Sequence, residues 1–387
     1  MPRAPFTPRE MIGRLVGFDT TSRESNLDLI EFVADYLDQQ GIAASLTYDD
    51  ERRKANLFAT IGPADDGGVI LSGHTDVVPV DGQPWSSDPF DVVERDGRLY
   101  GRGTADMKSF LAISLALVPE FKAHPLAVPI HLAFSYDEEV GCRGVGRLID
   151  GMRESGIRPA VAIVGEPTGM RLVNGHKGIH GFRTTVTGRE AHSSTTHLGV
   201  NAVMAAAELI HHLAETAEAM KLRAEPESGF EPPYTTIQVG MIEGGTAANI
   251  IPRHCRFVWE YRLMPGSDPD EIITDFKARS AELEAAMKSV APEAAIVTAG
   301  GSVPGLRTEP DSPAERLVRE LTGNDRADRA AFVSEGGLFQ NAGLSVVVCG
   351  PGHVTEAHKP DEFIALDQVA EGTAFLRRLG ERLCRPL

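Results

Sequence analysis

The stretch GGVILSGHTDVVPVDG, residues 67–82, joins an apolar segment to a His-x-Asp pair, His74 and Asp76. The aliphatic run VILSG is typical of a short buried strand. Pro79 and Asp81 then favour a loop. Taken alone, Asp76 could be a turn residue and His74 a solvated loop histidine. The interpretation of this pair therefore depends on how the other strands end.

Length and composition limit the classes of protein to which the chain can belong. A chain of 387 residues is longer than one hydrophobic core normally fills, so we expect two domains. The net charge of -17 argues against a nucleic-acid partner and against an anionic membrane surface. No apolar run approaches the roughly 20 residues that span a bilayer, so we expect no membrane partner.

The cysteines Cys142, Cys255, Cys349 and Cys384 are far apart and form no C-x-x-C pair. This spacing supports neither a disulfide framework nor a cysteine zinc site, and it predicts buried free thiols. Residues 1–16 lack the continuous apolar core and the cleavage site of a signal peptide. We therefore expect a cytoplasmic protein.

Helices and strands alternate up to about residue 178, which predicts a mainly parallel sheet covered on both faces. The predicted elements are a helix over 27–41, a strand over 67–73, a helix over 107–121, and strands over 128–139 and 160–167. After the second domain the same pattern resumes with a helix over 312–323, a strand over 344–350 and a helix over 366–383.

Between these parts the pattern changes to strand, helix, strand, strand, helix, strand, the ferredoxin-like order. The predicted elements lie at 179–189, 199–220, 234–245, 255–265, 268–290 and 294–300, with Asp268 as the N-cap of the second helix. We predict an α/β fold with a mainly parallel-sheet domain, residues 1–179 and 301–387, and an inserted ferredoxin-like α+β domain, residues 180–300.

Several predicted strands end in side chains that bind metals, and ligands in open α/β sheets bind beyond the carboxyl ends of the strands. The candidates are His74 and Asp76, then Asp137, Glu138 and Glu139, then Glu166, then His353 and His358, with Asp106 in the Gly-rich YGRGTADMK before an apolar helix. Each has a simpler alternative. Asp106 could be a helix N-cap, the glutamates could be solvated loop residues, and either late histidine could lie on the surface.

The coincidence of these strand ends favours a metal site. Carboxylates gathered at one sheet edge repel one another, so most would need a proton or a cation. Two imidazoles and several carboxylates are a usual ligand set for a pair of borderline divalent metals. The residues therefore predict a dinuclear zinc-type hydrolase.

Seven motifs resemble the dinuclear zinc aminoacylase and carboxypeptidase family, in the family's order and over nearly the whole chain. They are GHTDVVPVDGQPWSSDPF, LYGRGTADMKSF, SYDEEVGCRG, GEPTG, GREAHSS, GGTAANIIPRHCRF and GPGHVTEAHKPDEF. Ala105 and Ser109 depart from the residues usual in relatives, Cys and Gly, without removing a ligand. His353 is also unusual for the family at its position in GPGHVTEAHKPDEF, and it is an alternative to His358 as a ligand.

The resemblance implies two zinc ions, for which cobalt can substitute. Asp106 would bridge them, His74 and Glu166 would complete one site, and Glu139 and His358 the other. Glu138 would be the general base, and Asp76 would accept a hydrogen bond that fixes the tautomer of His74. The resemblance also implies a cis peptide bond between Asp106 and Met107.

For the substrate, the resemblance implies an N-acyl amino acid, with hydrolysis of N-acetyl-L-ornithine to L-ornithine and acetate in arginine biosynthesis. Alternatives are a desuccinylase, an aminoacylase or a dipeptidase with the same site. His192 would stabilise the oxyanion, and Asn249 and Arg262 would bind the α-carboxylate.

The inserted domain would be a dimerisation and lid domain of a homodimer, with His192 entering the partner's site. From the residues alone, His192 could be a loop histidine, Asn249 a turn former and Arg262 one partner of a surface ion pair. A non-catalytic metal-binding protein on the same fold is a further alternative.

Overall fold

The computed structural model describes residues 6–63 and 67–387, so residues 1–5 of the N-terminal stretch interpreted above lie outside the described residues. The helices are α1 Pro8–Val16, α2 Leu27–Gln39, α3 Lys108–Ala116, α4 Val118–Ala123, α5 Val145–Glu154, α6 Ala202–Lys221, α7 Glu271–Lys288, α8 Pro313–Thr322, α9 Gly336–Asn341 and α10 Leu366–Arg382.

The strands are β1 Ala44–Tyr48, β2 Ala55–Ile61, β3 Val69–His74, β4 Val93–Arg95, β5 Arg98–Tyr100, β6 Ile130–Ser135, β7 Val161–Pro167, β8 Val173–His176, β9 Gly178–Thr187, β10 Thr236–Gly244, β11 His254–Leu263, β12 Ala295–Val303, β13 Asp328–Ala330, β14 Ser345–Gly350 and β15 Phe363–Ala365. They form three sheets.

The largest sheet has the strand order β1-β2-β6-β3-β7-β14-β8-β13. Its four central strands, β6, β3, β7 and β14, run parallel, whereas β1, β2 and β8 pair antiparallel with their neighbours. Every residue of β3, β6 and β7 is buried, as expected for strands covered on both faces. The predicted α/β fold with a mainly parallel sheet is confirmed, and the parallel strands bring their carboxyl ends to one edge.

The described chain divides into two compact units. The first comprises the described residues up to Gly175, Leu306–Asp328 and Ser334–Leu387, and the second comprises His176–Gly305 and Arg329–Val333. The boundaries predicted from the sequence are 179/180 and 300/301. The prediction also places Arg329–Val333 in the first domain, whereas the structure groups this short segment with the second unit.

The second unit has the predicted βαββαβ order, from β9 through α6, β10, β11 and α7 to β12. Its sheet has the order β10-β11-β9-β12, and every neighbouring pair is antiparallel. Its own core includes Trp259, Phe257 and Tyr261 from β11 and Phe276 from α7. The inserted ferredoxin-like fold is therefore confirmed.

Two local predictions are wrong. The helix predicted over 107–121 divides into α3 and α4 around Leu117, because Pro119 lies in the first turn of α4, where a residue without an N–H group is tolerated. The N-cap of α7 is Asp270 rather than Asp268. The Asp268 carboxylate instead accepts a hydrogen bond from the Asp270 amide at 2.9 Å, which closes the turn before the helix.

The cysteines are free, as predicted. Cys142, Cys255 and Cys349 are buried, and Cys384 is half-buried. Within residues 6–63 and 67–387, no helix combines the length and the apolar character needed to cross a bilayer.

Candidate metal centre

The predicted metal ligands come from different elements of the first unit and meet at the carboxyl edge of its large sheet. His74 ends β3, Asp106 lies two residues before α3, Glu139 follows β6, Glu166 is the penultimate residue of β7, and His358 lies in the loop after β14. Ligand atoms of His74, Asp106 and Glu139 all lie within 4.8 Å of one another. The parallel topology thus gathers residues that are far apart in the sequence.

Asp106 lies at the centre of the cluster. Its Oδ1 is 3.1 Å from His74 Nε2, and its Oδ2 is 3.2 Å from His358 Nε2. His74 Nε2 is also 3.9 Å from Glu166 Oε1, and His358 Nε2 is 3.1 Å from Glu139 Oε2. One carboxylate therefore separates two groups of ligands, with one imidazole and one glutamate on each side.

The electrostatics of the cluster show a shortage of positive charge. Burial raises the pKa of Glu166 well above its ordinary value, and the Asp106 charge raises it further. Burial also raises the pKa of Glu139. For Asp106 burial acts in the same direction, but the hydrogen bonds from His358 and His74 outweigh it and hold the pKa low. Protons on the histidines and glutamates supply charge that a cation could supply instead.

The neighbouring carboxylates raise the pKa values of both histidines. Hydrogen bonds to Asp106 and Glu139 raise the pKa of His358 to about 10. Burial would lower the pKa of His74, but the hydrogen bond to Asp106 and the charge of Glu166 raise it well above its ordinary value. Each imidazole therefore lies close enough to a carboxylate for both groups to bind the same cation.

A buried oxygen without a partner provides a separate test of this interpretation. Glu166 Oε1 is buried and has no hydrogen-bond partner among the described residues. An unpaired buried carboxylate oxygen is costly, whereas a metal ligand oxygen needs no hydrogen-bond donor. The histidine nitrogens and the carboxylate oxygens, including this one, form a donor set that fits two divalent cations, one on each side of Asp106.

The tautomer of His74 is fixed by Asp76, although not through its carboxylate. His74 Nδ1 is 2.9 Å from the main-chain oxygen of Asp76 and 3.7 Å from the carboxylate. A carbonyl oxygen only accepts, so Nδ1 keeps a proton, and Nε2, which faces Asp106, is the nitrogen that can bind a metal after it loses its proton. The acceptor predicted from the sequence is Asp76, and the structure gives this role to its main-chain carbonyl.

The Asp76 carboxylate contacts the turn after β6. It accepts hydrogen bonds from the main-chain amides of Glu138 at 3.0 Å and Glu139 at 3.2 Å, and from the Ser22 hydroxyl at 2.7 Å. These bonds direct the carboxylate away from His74. They also hold the base candidate and a ligand candidate in fixed positions relative to the end of β3.

Burial excludes several of the simpler alternatives. Glu138 is 9% exposed, so it is not a solvated loop residue. Asp106 is not a helix cap, because Met107 is the N-cap of α3 and no side chain caps that helix. Both late histidines are exposed, but His353 packs against Gly169, whereas His358 contacts Asp106 and Glu139. The Asp106–Met107 peptide bond is cis, as the resemblance implied.

Glu362 is not among the site residues predicted from the sequence, although it organises the Asp106 loop. Its Oε1 accepts hydrogen bonds from the main-chain amides of Gly103, Ala105 and Asp106, at 3.0, 2.8 and 3.1 Å. Its Oε2 accepts a hydrogen bond from Arg102 Nη1 at 2.6 Å, and both side chains are 1% exposed. Its place in the quoted motif AHKPDEF was the available signal.

A second buried acid outside the predicted set is Glu335, at the start of α9. It accepts hydrogen bonds from Ser72 Oγ on β3 at 3.2 Å and from Ser135 Oγ on β6. Burial raises its pKa to about 7. The stretch VSEGGLFQ carried no pattern that distinguished this residue from a surface glutamate.

Glycine is required directly before Glu166. A Cβ atom at Gly165 would lie 2.1 Å from ring atoms of Phe110 on α3. A Cβ atom at Gly350 would lie 2.0 Å from the Gly165 carbonyl oxygen. β7, β14 and α3 therefore approach closely only because neither position carries a side chain.

The remaining predicted residues lie in the second unit. His192 and Asn249 are exposed, and the main chains around them pair, with the Ser193 amide donating to the Asn249 carbonyl at 3.1 Å. His192 Nδ1 is 2.7 Å from Ser194 Oγ. The structure thus brings His192 and Asn249 together in one loop region.

Arg262 lies elsewhere in the same unit. It lies near the C-terminal end of β11, opposite Ile179 at the start of β9. Its Nε is 3.1 Å from Glu260 Oε1. The loop with Asn249 adjoins the other end of β11, next to His254. At about 3.3 Å per residue, the strand separates the two positions by roughly 25 Å. Arg262 and Asn249 of one chain cannot contact the same carboxylate.

Comparison with known proteins gives consistent matches. Residues 70–382 match the model of peptidase family M20/M25/M40. The chain is 33% identical to an acetylornithine deacetylase of Myxococcus xanthus over 382 residues, covering 97% of each protein. It is also 33% identical to an acetylornithine deacetylase of Proteus mirabilis, covering 95% of this chain and 92% of the relative.

A solved structure has the same fold. It is an M20-family metallo-carboxypeptidase from Sulfolobus solfataricus, with a TM-score of 0.78 and 17% sequence identity, covering 98% of this chain and 99% of the other. The match supports the two-part α/β architecture described above.

The Glu362 contacts lead to a test of the Asp106 loop. Glu362→Gln places an amide N–H₂ group against either the Arg102 guanidinium or the loop amides, so buried donors face one another. Breaking a buried charged pair typically costs about 3–5 kcal/mol. We expect a large fall in the free energy of unfolding, measured by urea denaturation, and a lower metal content after reconstitution.

The matched control is Glu120→Gln, which breaks the exposed pair between Glu120 and Arg377. Exposed pairs contribute about 0–1 kcal/mol, so stability and metal content should both change little. Equal behaviour of the two variants would contradict an organising role for Glu362.

Proposed function

The chain belongs to peptidase family M20/M25/M40 and is a hydrolase, and from this we propose that it is a zinc-dependent amidohydrolase that converts N-acetyl-L-ornithine to L-ornithine and acetate. The proposal rests chiefly on the Asp106 cluster, with a histidine and a glutamate on each side. The names of the relatives that match over nearly the whole chain support the choice of substrate. The reaction would belong to cytoplasmic arginine biosynthesis.

In this proposal His74 and Glu166 would hold one zinc ion and Glu139 and His358 would hold the other, with the Asp106 carboxylate between the two groups of ligands. Cobalt would substitute, because imidazole and carboxylate donors accept both ions. When bound, the ions supply Lewis acidity toward the amide carbonyl and lower the pKa of a bound water.

Glu138 is the proposed general base. It takes a proton from the attacking water and later gives it to the departing amine. Burial raises its pKa well above its ordinary value, so this carboxyl group accepts a proton more readily than an exposed glutamate does. The Asp76 carboxylate holds its main-chain amide, and the position of Glu138 is therefore tied to the end of β3.

Substrate recognition would use the second unit. The guanidinium of Arg262 suits the α-carboxylate, because it can donate two parallel hydrogen bonds. Asn249 would donate to the same carboxylate, and His192 would donate to the oxyanion that forms on the amide oxygen. Since Arg262 and Asn249 lie at opposite ends of β11, two chains are needed to bring both to one substrate.

We therefore propose a homodimer in which residues 180–300 pair with a second copy. His192 and Asn249 of one chain would act on the substrate held by Arg262 of the other. β10 is an edge strand with exposed apolar side chains, Met241 at 67% and Ile242 at 56%, which supports an interface on this unit.

The first test is a substrate panel. Chelator-treated protein should be inactive and should recover with zinc or cobalt, because the ligands hold the ions that activate the water. Among N-acetyl-L-ornithine, an N-succinyl amino acid, N-acetylmethionine and a dipeptide, we expect the highest kcat/KM for N-acetyl-L-ornithine. Its methyl ester should be poor, because it lacks the charged carboxylate.

A higher kcat/KM for the N-succinyl compound or the dipeptide would replace the proposed substrate and leave the amidohydrolase intact. Full activity of protein shown by elemental analysis to be free of divalent metal would overturn the metal centre. Equal turnover of the acid and the ester would show that Arg262 and Asn249 do not bind the α-carboxylate.

The roles of the adjacent glutamates can be separated. Glu138→Gln should keep both metals but lose about 10²–10⁴-fold in kcat, the usual contribution of general acid–base catalysis. Glu139→Gln should instead lose metal, because an amide is a weaker ligand than a carboxylate. Elemental analysis and kcat are measured on both variants. The reverse pattern, an emptied site in Glu138→Gln and full sites in Glu139→Gln, would refute these assignments.

The dimer can be tested by mixing two inactive variants, His192→Ala and Glu138→Gln. If His192 acts on the partner's site, each mixed dimer has one site with both an intact base and an intact histidine. Equal mixing then restores about a quarter of wild-type activity per chain in a symmetric dimer. Native mass spectrometry of isotope-labelled chains confirms exchange; exchange without recovered activity would exclude action across the interface.

A further inference from the structure

The thiol of Cys142 lies against the proposed base. Its Sγ is 3.4 Å from Glu138 Oε1, within hydrogen-bond reach for sulfur. We propose that Cys142 is a positioning residue: its S–H group donates to one oxygen of Glu138 and leaves the other directed toward the attacking water. This inference rests on the proposed function only through the role of Glu138 as base.

The turn that follows β6 is built to hold this contact. The amides of Gly141 and Cys142 both donate to the Glu138 carbonyl oxygen at 2.9 Å. The next two amides, of Arg143 and Gly144, donate to the carbonyls of Asp137 and Tyr136 at 3.0 and 3.1 Å. The chain therefore folds back over Glu138, and main-chain hydrogen bonds set the position of the Cys142 side chain.

Within the described residues, the thiol is the only hydrogen-bond donor to the Glu138 carboxylate. Cys142 is 5% exposed and Glu138 is 9% exposed, so bulk water scarcely competes for the contact. A glutamate side chain has several rotatable bonds, and one fixed oxygen restricts the direction of the other. The contact thus selects one orientation of the base.

The thiol is held in the form that can donate. Burial raises the pKa of Cys142, and the charge of Glu138 raises it further, so the sulfur keeps its proton at neutral pH. The backbone conformation at position 142 does not by itself favour a residue with a side chain. The φ angle of Cys142 is 51°, in the left-handed region that favours glycine.

The test compares Cys142→Ala, Cys142→Gly and Cys142→Ser. Ala and Gly remove the donor, so kcat for N-acetyl-L-ornithine should fall about three- to tenfold, the factor that corresponds to one ordinary hydrogen bond. KM and metal content should stay unchanged. Cys142→Ser supplies an O–H donor and should recover most of the loss. Cys255→Ala removes another buried thiol, on β11, and should not lower kcat.

Thermal unfolding separates positioning from packing. Cys142→Gly relieves the left-handed backbone and should unfold at a higher temperature than Cys142→Ala, while both turn over equally slowly. Wild-type kcat in the Ala and Gly variants would overturn the inference, as would a Ser variant as slow as Ala.

A spectroscopic measurement tests the contact without any substrate. The Raman S–H stretching band of Cys142, assigned by its absence in Cys142→Ala, should shift to higher frequency in Glu138→Gln, because an amide oxygen accepts more weakly than a carboxylate. An unshifted band would overturn the inference. If no N-acyl amino acid is hydrolysed, the proposed function fails, and the band shift still decides whether the thiol bonds to Glu138.

Discussion

Mutual repulsion among buried carboxylates is the constraint on which the first unit depends. Asp106, Glu139 and Glu166 lie at one sheet edge, and burial raises the pKa of both glutamates. In water this repulsion would be screened, but the low dielectric of the interior strengthens it. The surrounding structure compensates in two ways. Two imidazoles face Asp106, and main-chain amides donate to the carboxylates of Asp76 and Glu362 that hold the loops.

The sequence was sufficient where function depends on topology. His74, Glu139 and Glu166 could be predicted to meet because parallel strands bring their carboxyl ends to one edge, and alternating helices and strands indicate such strands. Features that depend on side-chain conformation could not be predicted. Nothing in the His-x-Asp spacing shows whether the carbonyl or the carboxylate of Asp76 accepts from His74. Nor could the convergence of three loop amides on Glu362 be inferred, because it requires the geometry of two loops that are remote in sequence.

The second unit shows a different limit of sequence reasoning. His192, Asn249 and Arg262 all belong to family motifs, and motif order carries no information about distance. Only the antiparallel register of β9 and β11 reveals that Arg262 and the Asn249 loop lie at opposite ends of one strand. Local errors have a similar origin. The sequence predicts Asp268 as the N-cap, but its carboxylate closes a turn with the Asp270 amide, and the helix starts after Asp270.

The position of β14 has a consequence for synthesis of the chain. β14 lies between β7 and β8 in the large sheet, yet it follows β7 by almost half of the sequence, with the whole second unit between them. At ribosomal rates of about 5–20 residues per second, β7 leaves the ribosome roughly 10–35 s before its neighbour exists. Throughout that interval the apolar run VAIVG has an unpaired edge, which is a template for aggregation. Yield of the protein in cells should therefore depend on chaperones that bind the nascent chain.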